Sequence, residues 1–138
     1  MAEMNLFVDR DQLAVVRNFV TQMGCDLGLD SRVIDDLKLA VDEACTNIVE
    51  HAYGGQGGQI EIEIKSIDDG VQVTIHDWGA AFDPQAVPSP DVAAPLEQRP
   101  LGGLGLYLMR QMMDRVDFQF DGEDGNTLTM VKRLKEEQ

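Results

Sequence analysis

The chain has 138 residues, 43% of them hydrophobic, with 13 glycines, enough for one domain with its own core. Eleven Lys+Arg against 25 Asp+Glu leave a formal net charge of -14, which repels phosphate backbones and anionic headgroups and so disfavours nucleic-acid or membrane-surface binding. With no run of ~18 apolar residues, no secretory leader and only Cys25 and Cys45, a reducing cytoplasm is expected, without a zinc ribbon or disulfide framework.

From Asp11 to Met23 the residues Leu13, Val16, Phe19, Val20 and Met23 recur at spacings of three and four, which predicts an amphipathic helix. A loop is expected at Gly24-Cys25-Asp26-Leu27-Gly28. A longer helix then starts after Ser31, with Ile34, Leu37, Val41, Ala44, Cys45, Ile48 and Ala52 on its apolar stripe, and stops at Gly54-Gly55. Period two takes over in Ile60, Ile62, Ile64 and again in Val71, Val73, Ile75, with Asp68-Asp69-Gly70 between them, the pattern of a hairpin.

All five prolines, Pro84, Pro88, Pro90, Pro95 and Pro100, fall in residues 80–101, which are expected to form a long loop of the active-site lid type. Gly102-Gly103-Leu104-Gly105 opens a further helix that ends near Asp114. Two last strands, Val116–Phe120 and Thr127–Leu134, are joined by a turn. Four strands linked mainly by hairpins, with helices that need a surface to cover, predict an α+β two-layer sandwich whose mostly antiparallel mixed sheet is covered on one face.

Three clusters could carry chemistry. Glu43 and Asn47 share a helix face away from the apolar stripe, so both can reach one ligand; hard oxygen donors of this kind suit Mg²⁺, and a carboxylate there could take a proton from a hydroxyl. They could equally be polar residues on a solvated face. Asp77, in phase with Val71, Val73 and Ile75, points into the covered layer and needs a donor there, such as an exocyclic amino group or a turn amide. Gly102, Gly103 and Gly105 leave amides open at a helix N-terminus, which suits phosphate, although glycine-rich turns are commonly only turns. No Walker or dinucleotide fingerprint is present.

In this order, Glu43-x-x-x-Asn47, Asp77-x-Gly79, Gly102-Gly103-x-Gly105-Leu106 and Asn126-Thr127 resemble the GHKL family of ATP-binding domains. The runs EACTNIVEHAY, DWGAAFDP and GGLGLYLMRQMMD look like the stand-alone bacterial anti-sigma-factor serine kinases of the RsbW type. The resemblance spans nearly the whole chain. It implies a Bergerat-type ATP-binding fold over residues 1–138, with 80–101 as the ATP lid. It also implies Asn47 as the Mg²⁺ ligand, Glu43 as general base, Asp77 and Gly79 at the adenine, and Thr127 near that aspartate. Gly102, Gly103, Leu104, Gly105 and Leu106 match the phosphate-wrapping box. Two positions depart from the family pattern: Ala81 stands at a second glycine of the adenine box, and Asn126 where a glycine commonly precedes the threonine, though Asn also tolerates left-handed backbone.

The implied activity is ATP- and Mg²⁺-dependent phosphorylation of a serine on a small, STAS-type anti-sigma-factor antagonist, by a cytoplasmic homodimer that also sequesters a sigma factor. The alternative is a nucleotide-binding partner switch with little kinase activity. A sensor histidine kinase fits less well, because only His51 and His76 occur and no two-helix phosphoacceptor module precedes the domain. Arg17, near the stripe of the first helix, is a candidate partner contact or else a snorkelling surface arginine.

Overall fold

Met4, Leu6 and Val8 alternate with Glu3, Asn5 and Phe7, and the chain opens with a strand, β1 (Ala2–Val8), that lies outside the four expected from sequence. The structure, a computed structural model, describes residues 2–54, 56–80 and 101–134. Nearly all of the proline-rich lid assigned to 80–101, Ala81 included, lies outside the described residues.

A 3₁₀ turn, Arg10–Gln12, is capped by Asp9, whose carboxylate accepts from the amides of Asp11 and Gln12. It leads into α1 (Leu13–Asp26). This helix runs through Gly24 and Cys25, where a loop was expected, because Gly24 is the point at which the next helix crosses: a Cβ there would meet Ile34 Cγ1 at 2.6 Å. The chain turns only at Gly28, with φ at 73°. α2 (Ser31–Asn47) starts at Asp30 rather than Ser31 as its cap, with the Asp30 carboxylate accepting from Val33 N. Such a cap contributes about 1 kcal/mol. After Asn47 the helix widens into a π-helical turn, Ile48–Ala52, and stops at Gly54, where φ is 62°.

β2 (Gly58–Ile67) and β3 (Gly70–Asp77) form the expected hairpin, with Ile62 opposite Ile75 and Ile60 opposite Asp77. Beyond the undescribed segment come α3 (Leu101–Met112), β4 (Arg115–Phe120) and β5 (Asn126–Arg133). The sheet order is β1-β2-β3-β5-β4 and all pairings are antiparallel, so no parallel component of the expected mixed sheet is present among the described strands.

One face of this sheet is apolar: Ile60, Ile62, Ile64, Val71, Val73, Ile75, Leu128 and Met130 pack in one core with Val16 and Val20 of α1, Leu37 and Val41 of α2, and Leu106 and Met109 of α3. Burial of this apolar area is the main stabilising term. The other face carries polar residues such as Glu61, Thr74, His76 and Thr127. Lys132 ties the layers together, donating to Met112 O at the end of α3 and pairing with Asp36 of α2 at 3.1 Å.

Candidate nucleotide site

Period two carries Asp77 to the covered face at the end of β3, as its phase with Val73 and Ile75 predicts. It is only 5% exposed. A buried carboxylate needs donors, and two come from the chain: Gly79 N at 2.9 Å and Asn126 Nδ2 at 2.9 Å, both to Oδ1. The second hydrogen of the Asn126 amide goes to Gly79 O at 3.0 Å. Asn126 therefore spends its whole donor capacity on the Asp77-Trp78-Gly79 turn, and these bonds leave Oδ2 as the acceptor for a ligand.

Asn126 makes the side-chain contact to Asp77, while Thr127, expected near that aspartate, borders the same cavity. Residues 126, 128 and 130 share the covered face, whereas Thr127 faces the opposite way and its hydroxyl lies 2.8 Å from His76 Nδ1. Strand phase relative to Leu128 and Met130 was the available signal, and a one-residue slip reverses every side chain. Nor is Asn126 left-handed: Gly125 carries the positive φ, at 90°.

Gly79 has a role other than letting backbone pass a base. Ala80 N donates to Ala52 O at 2.7 Å, and a Cβ on Gly79 would lie 2.6 Å from the Ala52 carbonyl carbon. The glycine lets the end of β3 touch the π-helical turn. Overpacking against backbone costs about 1–3 kcal/mol, so Gly79→Ala is expected to lower the midpoint of urea unfolding by a corresponding amount, with the slope unchanged. Tyr53 braces the same turn: its hydroxyl accepts from Trp78 N at 3.0 Å and donates to Gln59 O at 2.6 Å. Burial pushes the Tyr53 phenol above its ordinary range.

Asn47, the last residue of α2, is not on a solvated face. It is 8% exposed, covered by α3, with Nδ2 4.0 Å from the Met109 sulfur. A thioether is a weak acceptor that suits the amide nitrogen, which turns Oδ1 the other way as a hard oxygen donor. Glu43 stands one turn earlier and is half-buried; burial first, then the neighbouring Asp42 charge, raises its pKa above the usual glutamate value. The direction favours proton acceptance near neutral pH.

Asn47, Asp77 and Asn126 converge on one cavity walled by Met109, Phe118 and Phe120. It offers about 20 Å³, room for a water. Met109, with its flexible thioether, is the adaptable wall. Larger hollows on the open face, around Trp78, are lined by Glu61 and Glu63 and repel polyphosphate. Met109, Phe118 and Phe120 line the cavity although motif spacing did not reveal them, and Asn126, part of the motif, makes a contact that the motif did not assign.

α3 begins at Leu101, so the amides of Gly102 and Gly103 belong to its first turn and lack intrahelical acceptors, whereas Leu104 is the first residue whose amide bonds back along the helix. Gly105 and Leu106 fall in the following turn, and Leu106 is a core residue, 3% exposed. Among the described residues no three His, Cys, Asp or Glu side chains form a metal cage. A cation held by one amide oxygen and by ligand phosphates, as Mg²⁺ commonly is, fits this donor set. Arg17 lies outside the site: its guanidinium pairs with Asp42 at 2.7 Å, tying α1 to α2 next to Glu43. Cys45 is inert, its thiol pushed up to about 12 by burial.

Comparison with known proteins extends these observations. Residues 7–132 match the family described as histidine kinase-like ATPase domain. The chain is 34% identical over 140 residues to the serine-protein kinase RsbW of Bacillus cereus (strain Q1), across 99% of this chain and 86% of that protein. The same figures hold for the serine-protein kinase RsbW of Bacillus thuringiensis subsp. konkukian (strain 97-27). The crystal structure of the RsbU and RsbW domains of Rv1364c from Mycobacterium tuberculosis shares the fold, with a TM-score of 0.63 and 18% identity over 96% of this chain and 32% of that one.

Proposed function

The chain belongs to the histidine kinase-like ATPase domain family and is a serine-protein kinase; from that premise we propose that it moves the γ-phosphoryl group of Mg²⁺-bound ATP to a serine of a small, STAS-type anti-sigma-factor antagonist, and that another of its surfaces sequesters a sigma factor. The observation that carries this reading is the convergence of Asn47, Asp77 and Asn126 on one cavity, in a chain whose α3 presents glycine amides at its start.

Each group has a role that follows from its position. The free oxygen of Asp77 accepts from the exocyclic amino group of adenine. The first-turn amides of α3 orient the phosphates, aided by the positive end of the helix dipole. Asn47 Oδ1 holds the cation, whose chemistry is to neutralise charge on the phosphate oxygens. Glu43 takes the proton from the serine hydroxyl as its oxygen attacks the γ-phosphorus and ADP leaves. Positioning and electrostatics of this kind supply most of the catalysis in phosphoryl transfer.

A cytoplasmic homodimer is part of the same proposal; no described helix is long and apolar enough to cross a membrane. Arg17 remains a proposed partner contact, half exposed beyond its pairing with Asp42. Exposed ion pairs contribute under about 1 kcal/mol, so Arg17→Ala is expected to melt within a few degrees of wild type yet bind the sigma factor more weakly; unchanged binding in a pull-down removes it from the interface. The overall test is calorimetric titration with ATP and ADP, with and without Mg²⁺, beside Asn47→Ala. Mg²⁺-dependent ATP binding that fails in the variant is expected, and no binding at millimolar nucleotide overturns the reading.

A further inference from the structure

We propose that His76 is a positioning residue of the nucleotide pocket, acting from the opposite face of the sheet; the inference rests on Asp77 being the group that reads the base. His76 precedes Asp77 on β3, so its ring lies on the uncovered side. Nε2 is 2.8 Å from Asp124 O and Nδ1 is 2.8 Å from Thr127 Oγ1. A carbonyl only accepts, so Nε2 carries the proton and, in the neutral ring, Nδ1 accepts from the threonine hydroxyl. The ring thereby grips both residues that flank Gly125-Asn126.

What it grips is the start of β5. The remaining bonds of this turn are local: Asp124 N to Asp121 O, Gly125 N to Gly122 O, and Asp121 N to Gly125 O. They shape the turn, while on the covered face the Asn126 amide and the close approach of Gly125 to Asp77 O hold it against the end of β3. His76 supplies the tie from the uncovered face, and the turn lies directly on the ring, since a Cβ on Gly125 would meet Nε2 at 2.7 Å. Trp78 closes the far side, edge-on to the imidazole with centroids 4.7 Å apart. With Asp124 and Thr127 held, Asn126 between them reaches through to Asp77 Oδ1 and Gly79 O. Without the ring, the turn beyond the Asp77–Asn126 pair keeps its hairpin to β4 but loses its side-chain grip on β3 from the uncovered face, and the amide that occupies Oδ1 is less firmly placed. The carboxylate then swings to recover a donor, and its alignment with an adenine amino group is lost.

The test uses the full chain with ADP and ATP as calorimetric probes. His76→Leu removes both ring bonds, and Thr127→Val removes one while leaving the imidazole. His76→Gln keeps a donor able to reach Asp124 O. The expected result is a dissociation constant for ADP raised about tenfold in His76→Leu, the loss of roughly one net hydrogen bond's worth of alignment, with Thr127→Val and His76→Gln between it and wild type. Recovery of affinity by Gln separates positioning from general packing, which an amide of different shape would not restore. If His76→Leu does not fold by far-ultraviolet circular dichroism, Thr127→Val carries the test alone. ADP affinity within twofold of wild type in the folded variants overturns the inference. Absence of nucleotide binding by wild type instead overturns the pocket reading on which it rests, and the inference falls with it.

Discussion

Glu43→Gln is expected to slow phosphoryl transfer by about 10²–10⁴-fold, the usual contribution of a positioned general base, while ATP affinity stays within about threefold of wild type because Gln keeps the shape and polarity of the side chain. The same variant should be at least as stable as wild type near pH 7. The sign follows from the raised pKa of Glu43: folding favours its protonated form, so the stability it contributes is present below its unfolded pKa and is lost as pH rises through the folded value. At neutral pH the ionised carboxylate is therefore a burden on the fold that Gln relieves. The rate of transfer should climb with pH through a limb lying above the ordinary glutamate range. Asp42→Asn, which removes the like charge, should move that limb to lower pH. Full transfer activity in Glu43→Gln would eliminate the base and leave a nucleotide-dependent partner switch as the better description.

Asp77→Asn is expected to weaken ATP and ADP together by about 10–100-fold, the range for losing a hydrogen bond to a charged acceptor. Selectivity should change with affinity. Guanine presents a carbonyl oxygen where adenine presents an amino group; the carboxylate repels it, whereas an amide nitrogen accommodates it, so the ATP to GTP preference should narrow. Asn126→Ala should lower affinity by less and stability by more, about 1–3 kcal/mol, because it leaves Asp77 Oδ1 with one buried donor fewer. Combining the two changes should cost less than their sum, since each breaks the same contact. Additive effects in the double-mutant cycle would show that Asn126 acts on the ligand independently of Asp77, contrary to the geometry.

The sequence carried much of this site because strand and helix periods are local. Asp77 could be assigned to the covered layer from three apolar neighbours, and Glu43 and Asn47 to one helix face from their spacing. It did not tell which face was solvated: Asn47 is buried by α3, an element some sixty residues further on, and no local pattern reports that packing. β1 escaped notice for a similar reason, its partner strand lying beyond two helices. Thr127 is a different case, since it borders the cavity but turns its hydroxyl to His76. There the residue type outweighed the phase, although the alternation with Leu128 and Met130 pointed to Asn126. Gly24 and Gly79 look like breakers in isolation, yet each is a point where two segments touch.

The pairing of β1 with β2 sets an order of events during synthesis. Ala2–Val8 leaves the ribosome ahead of its partners, Gly58–Ile64, which are made fifty or more residues later. At ~5–20 residues per second this is a wait of roughly 3–12 s, during which Leu6 and Val8 have no sheet to join. The edge strand is translated well before the strand it pairs with and cannot take its place in the sheet at once; until β2 emerges, β1 is a short amphipathic segment open to chaperones and to other copies of itself.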